Sequence, residues 1–127
     1  MGTHAMIGFY NLEDGSVEAT YVHYDGYLEG VGRTLIDHYN SAIEAVSVSL
    51  VGYLSALEPN IHDSIANSAH KNQPVVEFES VEDYMTNGYD HAGADYLYLF
   101  DGDAWFYASR SAADNRFEEI EMNLKAA

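Results

Sequence analysis

Tyr96-Leu97-Tyr98-Leu99-Phe100-Asp101-Gly102-Asp103-Ala104-Trp105-Phe106-Tyr107-Ala108-Ser109 reads as two strands and the turn between them. Tyr96 to Phe100 and Ala104 to Ser109 are the arms, and Asp101-Gly102-Asp103 is a tight hairpin turn. A second hairpin stands near the start of the chain. Ile7 to Leu12 is a short strand, and Asp14-Gly15 is a turn signal because glycine takes the positive φ such a turn demands. Val17 to Tyr24 then alternates, with Val17, Ala19, Tyr21 and His23 on one face and Glu18, Thr20, Val22 and Tyr24 on the other.

Between and after the hairpins the pattern turns helical. A glycine-rich connection, Asp25 to Gly32, leads into a helix from about Val31 to Asn40 with Leu35, Ile36 and Tyr39 on its apolar stripe. Asn40-Ser41 ends it and caps a second helix through Ala42 to Val48. Leu50 to Leu57 is apolar without a clear period, Glu58-Pro59-Asn60 breaks the chain, and Ile61 to Lys71 fits a short helix or a loop. Val75 to Glu79 reads as a strand. Ser80 to Asp83 has capping-box spacing and opens a short helix through Tyr84 and Met85, which Asn87-Gly88 ends. Asp114 or Asn115 caps a terminal helix bearing Phe117, Ile120 and Leu124. The pattern predicts an α+β fold: a small antiparallel sheet built from two β-hairpins, packed against several short helices. Residues 1–5 read as a tag remnant, so His4 is set aside, and residues 6–127 read as one globular domain.

Charge limits the partners. The 127 residues carry 21 acids against 5 Lys and Arg, a formal net charge of −16. Such a field repels nucleic acid and anionic membranes and attracts basic surfaces. No Lys or Arg lies between Lys71 and Arg110, a stretch that holds Glu77, Glu79, Glu82, Asp83, Asp90, Asp95, Asp101 and Asp103. These eight acids are the candidate partner-binding residues. There is no cysteine, no apolar run of membrane-spanning length and no signal-peptide pattern, so a cytoplasmic protein is the expectation.

Tyr21-Val22-His23-Tyr24-Asp25-Gly26-Tyr27, followed by Gly32-Arg33-Thr34-Leu35 and His38-Tyr39-Asn40, resembles a family of small, functionally uncharacterised proteins encoded largely by bacteriophages. Their Tyr-x-His-(Trp/Tyr)-Asp-Gly-Tyr segment precedes a Gly-x-x-Leu helix. Tyr96 to Gly102 is similar to their Tyr-x-Tyr-Leu-Phe-Asp-Gly hairpin, while Val46 to Asn72 departs from the pattern. The resemblance implies a phage origin and a shared fold, and implies no activity.

Chemistry-bearing groups are few. His23, Asp25 and His38 could bind a divalent metal or move a proton, although an aromatic ring packed at a strand end with Asp25 in a turn accounts for the same residues. Gly26, Gly30 and Gly32 match no phosphate-loop spacing and read as a turn. Asp101 and Asp103 lack the distal ligands of a calcium loop, and His62, Asp63 and His70 match no zinc pattern. No serine sits in a nucleophile elbow. The expectation is a protein without cofactor or enzymatic activity that binds a basic surface of a host or phage protein, in its strongest form as a DNA mimic. Mimicry predicts acids gathered on one face. The alternative, a salt-adapted accessory or structural protein, predicts acids on all faces. A weak metal-dependent module around His23, Asp25 and His38 is the third reading.

Overall fold

In the computed structural model, which describes residues 3–69, 73–110 and 116–120, both hairpins form. Strands β1 (Ala5–Tyr10) and β2 (Val17–Val22) pair antiparallel, as do β5 (Tyr96–Phe100) and β6 (Trp105–Ser109). The two hairpins meet in a way that the antiparallel expectation missed. β1 lies parallel to β5, with Ala5 opposite Tyr96 and Phe9 opposite Phe100. The sheet is therefore mixed, in the order β3-β2-β1-β5-β6-β7, with β4 also on β2.

The physical reason is the helices. A turn of two to five residues can only fold a strand back antiparallel, whereas a helix between strands carries the chain across the sheet and returns it parallel. From β2, a π-helical turn (Leu28–Gly32), α1 (Arg33–His38) and α2 (Ala42–Ser49) lead to β3 (Tyr53–Leu54), which pairs parallel with β2. After α3 (Ile61–Ala66) comes β4 (Val76–Phe78), and α4 (Val81–Ala92) carries the chain from there into β5. Ser41, Asn60 and Ser80 cap α2, α3 and α4 through their side chains.

The crossovers cover both faces of the sheet. Ile7, Val22, Tyr98, Phe100 and Trp105 pack with Leu35 of α1 and Val48 of α2. Met6, Val17, Ala19, Leu97 and Leu99 pack on the other side with Tyr84 of α4. Neighbouring residues of one strand serve opposite cores, which is why β5 is apolar without a break. Buried tyrosines place their hydroxyls on main-chain carbonyls: Tyr84 donates to Tyr98 at 2.8 Å, and Tyr98 to Gly26 at 2.7 Å.

Two local expectations are corrected. Helix α4 does not end at Asn87-Gly88 but runs to Ala92, and Gly93 stops it at φ 67°. Gly88 is there for packing, since a Cβ on it would lie 2.9 Å from Leu97 Cδ2. At the C-terminal side, Glu118–Glu119 form β7 on the edge of β6, so the expected helix is entered only at Ile120. Asp114, Asn115 and Leu124 lie outside the described residues. Residues 3–5 are held against the fold: Thr3 accepts from Gly26 N, His4 accepts from Asp95 N, and Ala5, the first residue of β1, is wholly buried.

Candidate interaction surface

Strands β1, β4 and β5 run in one direction and finish at the same end of the sheet. The two hairpin turns and the start of α4 therefore meet there. The first turn is held by Asn11, whose side chain accepts from Glu13 N, and by Asp14, which accepts from both the amide and the hydroxyl of Ser16. Those hydrogen bonds, the Ser16 hydroxyl first, hold the Asp14 carboxyl below the usual carboxylate range. In the second turn Asp101 accepts from Asp103 N and Ala104 N, both at 2.9 Å. The turns are close neighbours, for a Cβ added to Gly102 would stand 3.7 Å from Leu12 Cδ1. Leu12 is 75% exposed.

On the other side of the first turn, Asp14, Ser16, Glu77, Phe78 and Glu79 line a hollow of about 270 Å³. Glu79, Ser80, Glu82, Asp83, Thr86 and Asn87 line the next, of about 340 Å³. Asp83 accepts from Glu79 N at 2.9 Å and from Asn87 at 2.6 Å, and these bonds, the Glu79 amide first, lower its pKa. Ser80 accepts in turn from Asp83 N. Glu18 and Glu77 stand directly opposite each other on β2 and β4, a like-charge pair that destabilises a sheet unless something offsets it.

The fold thus brings together six of the eight acids named from the sequence: Glu77, Glu79, Glu82, Asp83, Asp101 and Asp103. It adds Glu13 and Asp14, which the pairing of β4 with β2 brings to Glu77 and Glu79 and the parallel pairing of β1 with β5 brings to Asp101 and Asp103. The remaining two lie at the opposite end. Asp90 pairs with Arg110 at 2.8 Å, and Asp95 is half-buried and accepts from His4 N. Of the other described arginines, Arg33 faces Asp37 at 3.8 Å and Arg116 precedes β7.

No family model, curated protein or solved structure matches the chain.

The other candidates are placed apart. His23 follows β2 at the end where β1 begins, stacked on His4 at 4.6 Å, with its Nδ1 3.1 Å from the Tyr21 hydroxyl. His38 is exposed in the last turn of α1, next to Tyr39, whose carbonyl accepts from Trp105 at the far end of the sheet. Asp25 is exposed at φ 59°, and it is its main-chain carbonyl that takes part in the turn, accepting from Val31 N. Among the described residues no group of three or more His, Asp or Glu is placed to hold a metal ion. The glycine-rich connection uses its own amides, Gly26 N on Thr3 and Gly30 N on Tyr27. Asn60 caps His62 N and Asp63 N, and His70 lies outside the described residues. No described helix is long and apolar enough to cross a membrane.

Proposed function

We propose that the protein is a non-enzymatic binding protein that presents the acidic end of its sheet to a basic surface of another protein. The observation that supports this reading is the meeting of Glu13, Asp14, Glu77, Glu79, Glu82, Asp83, Asp101 and Asp103 around two neighbouring turns at one end of the sheet. Several of these carboxylates are fixed by hydrogen bonds to main-chain amides, so little side-chain entropy is lost when a partner docks. Aligned charge also draws a basic partner from beyond contact distance and repels nucleic acid. In its strongest form the surface is a DNA mimic, and in a phage-encoded setting the partner is a host protein met in the cytoplasm.

A second reading has an observation of its own. Glu29, Asp37, Glu44 and Asp63 are exposed on the helices, outside the turns and hollows of the acidic end, as salt adaptation of the whole surface requires.

The test is capture of proteins from a bacterial lysate at low and at high salt, with duplex DNA as competitor. The binding reading expects a basic protein retained at low salt, released at high salt, and lost in the Glu82→Gln/Asp101→Asn/Asp103→Asn variant. Displacement by DNA identifies mimicry. Equal capture by the variant, or no capture at all, sinks the binding reading and leaves salt adaptation.

A further inference from the structure

At the end of the sheet away from the acidic turns, His4 precedes β1 and His23 follows β2. The register that sets Ala5 opposite Val22 sets His4 opposite His23, on one face of the sheet. Residues so placed hold their Cβ atoms roughly 4.5–5.5 Å apart. The two imidazole rings stack, with centroids 4.6 Å apart and planes inclined by 29°. Both residues are half-buried, within reach of solvent.

Hydrogen bonds decide which ring nitrogens are free. His4 Nδ1 lies 2.6 Å from the His23 carbonyl. A carbonyl only accepts, so Nδ1 carries the proton and the lone pair of neutral His4 is on Nε2. His23 Nδ1 lies 3.1 Å from the Tyr21 hydroxyl, which accepts as well as donates, so His23 can present Nε2 in the same way. A ring whose other nitrogen is held by an oxygen is the usual state of a metal-ligating histidine. On the far side of His4 the Asp95 carboxylate accepts from His4 N at 3.2 Å. That carboxylate and the net charge of −16 both favour a cation beside the pair.

We propose that His4 and His23 together ligate a divalent metal ion of the zinc class, with water completing its coordination. Imidazole selects such borderline ions over calcium and magnesium, which prefer oxygen ligands. Zinc holds imidazole nitrogens at about 2.0–2.1 Å, so two of them on one tetrahedral ion stand roughly 3.3 Å apart, a spacing within reach of rings stacked this closely. Two protein ligands make an exchangeable site, and its effect is a clasp. The ion ties the residues before β1 to the end of β2, where Thr3 already accepts from Gly26 N. The site is separate from the acidic end and does not depend on what binds there.

The test is a titration of the full chain with zinc chloride, in salt and excess magnesium to occupy the surface carboxylates, followed by NMR of the histidine ring protons. The expected result is that His4 and His23 move together, while His38 and His62, exposed on helices, stay in place. His4→Gln and His23→Gln should each weaken binding roughly tenfold or more, and the double variant no further, because loss of either ligand ends chelation. Zinc should also raise the melting temperature of the parent and of His38→Gln, and leave that of His4→Gln and His23→Gln unchanged. That comparison is made within each variant, so a general loss of stability does not imitate a lost ligand. Movement of His4 and His23 no greater than that of His38 and His62, or zinc binding that survives both substitutions, would overturn the proposal.

Discussion

Two constraints fall on Gly52: its φ of 101° is one that side chains rarely adopt, and a Cβ there would run into the carbonyl of Gln73. Alanine must therefore bear backbone strain and displace main chain, not a flexible side chain. Gly52→Ala should lose about 3 kcal/mol or more in urea unfolding, and a loss below about 1 kcal/mol would show that the Gln73 segment yields. Tyr98 makes a different point. Its buried hydroxyl spans most of the sequence to reach the Gly26 carbonyl, while the Gly26 amide is held by Thr3. Removing the hydroxyl leaves that carbonyl without its donor, so Tyr98→Phe should cost about 1–2 kcal/mol. It should also speed hydrogen exchange at Gly26 and Val31 before it does so in the strands. Uniform acceleration would mean that the bond serves global stability alone.

At the level of elements, Gly88 shows how packing overrides a local signal. Within a helix, glycine to alanine gains roughly 1 kcal/mol, yet here the added methyl meets Leu97, itself wholly buried, and overpacking costs about 1–3 kcal/mol. Gly88→Ala should therefore destabilise the protein by about 1 kcal/mol, and Leu97→Val, which withdraws the clashing methyl, should be less harmful when combined with Gly88→Ala than alone. Additive effects would refute that account. The same residue explains part of what was legible in the sequence. Both hairpins could be read because turn glycines and strand alternation are local, and the serine caps of α2 and α4 for the same reason. Gly88 imitates a stop signal because its partner, Leu97, lies on another element. The parallel contact of β1 with β5 left no local mark either, and with it went the knowledge that Asp14 and Asp101 share one end of the sheet. Phe117 to Ile120 carried helical spacing, but pairing with Phe106 and Tyr107 makes Glu118 and Glu119 an edge strand.

For the molecule as a whole, the two limits of pH act through different groups. Asp14 and Asp83 are held below their ordinary pKa in the fold, so what they contribute is present above the ordinary value and is lost as pH falls from there through the lower folded value. Protonating the other carboxylates relieves repulsion in a chain of net charge −16, which opposes that loss. Two terms of opposite sign make the acid side a poor diagnostic. The alkaline side has one sign. Burial pushes Tyr84 and Tyr98 well above the ordinary tyrosine value of 10.0 and Tyr89 to about 12. Between 10 and 12 the unfolded chain has released phenolic protons that the folded chain still holds, so stability falls as pH rises. Each tyrosinate also adds to a negative charge that is already large. The melting temperature should thus be nearly flat from pH 7 to 9 and drop steeply above pH 10. Absorbance at 295 nm should show some of the eleven tyrosines ionising only as the fold is lost. Tyr84→Phe removes one such group, so its melting temperature, though lower at neutral pH, should decline less steeply above pH 10. A parent protein stable to pH 11.5, or a variant with the parent's alkaline slope, would mean that these phenols ionise without unfolding, and the two cores would then be more open to water than their burial implies.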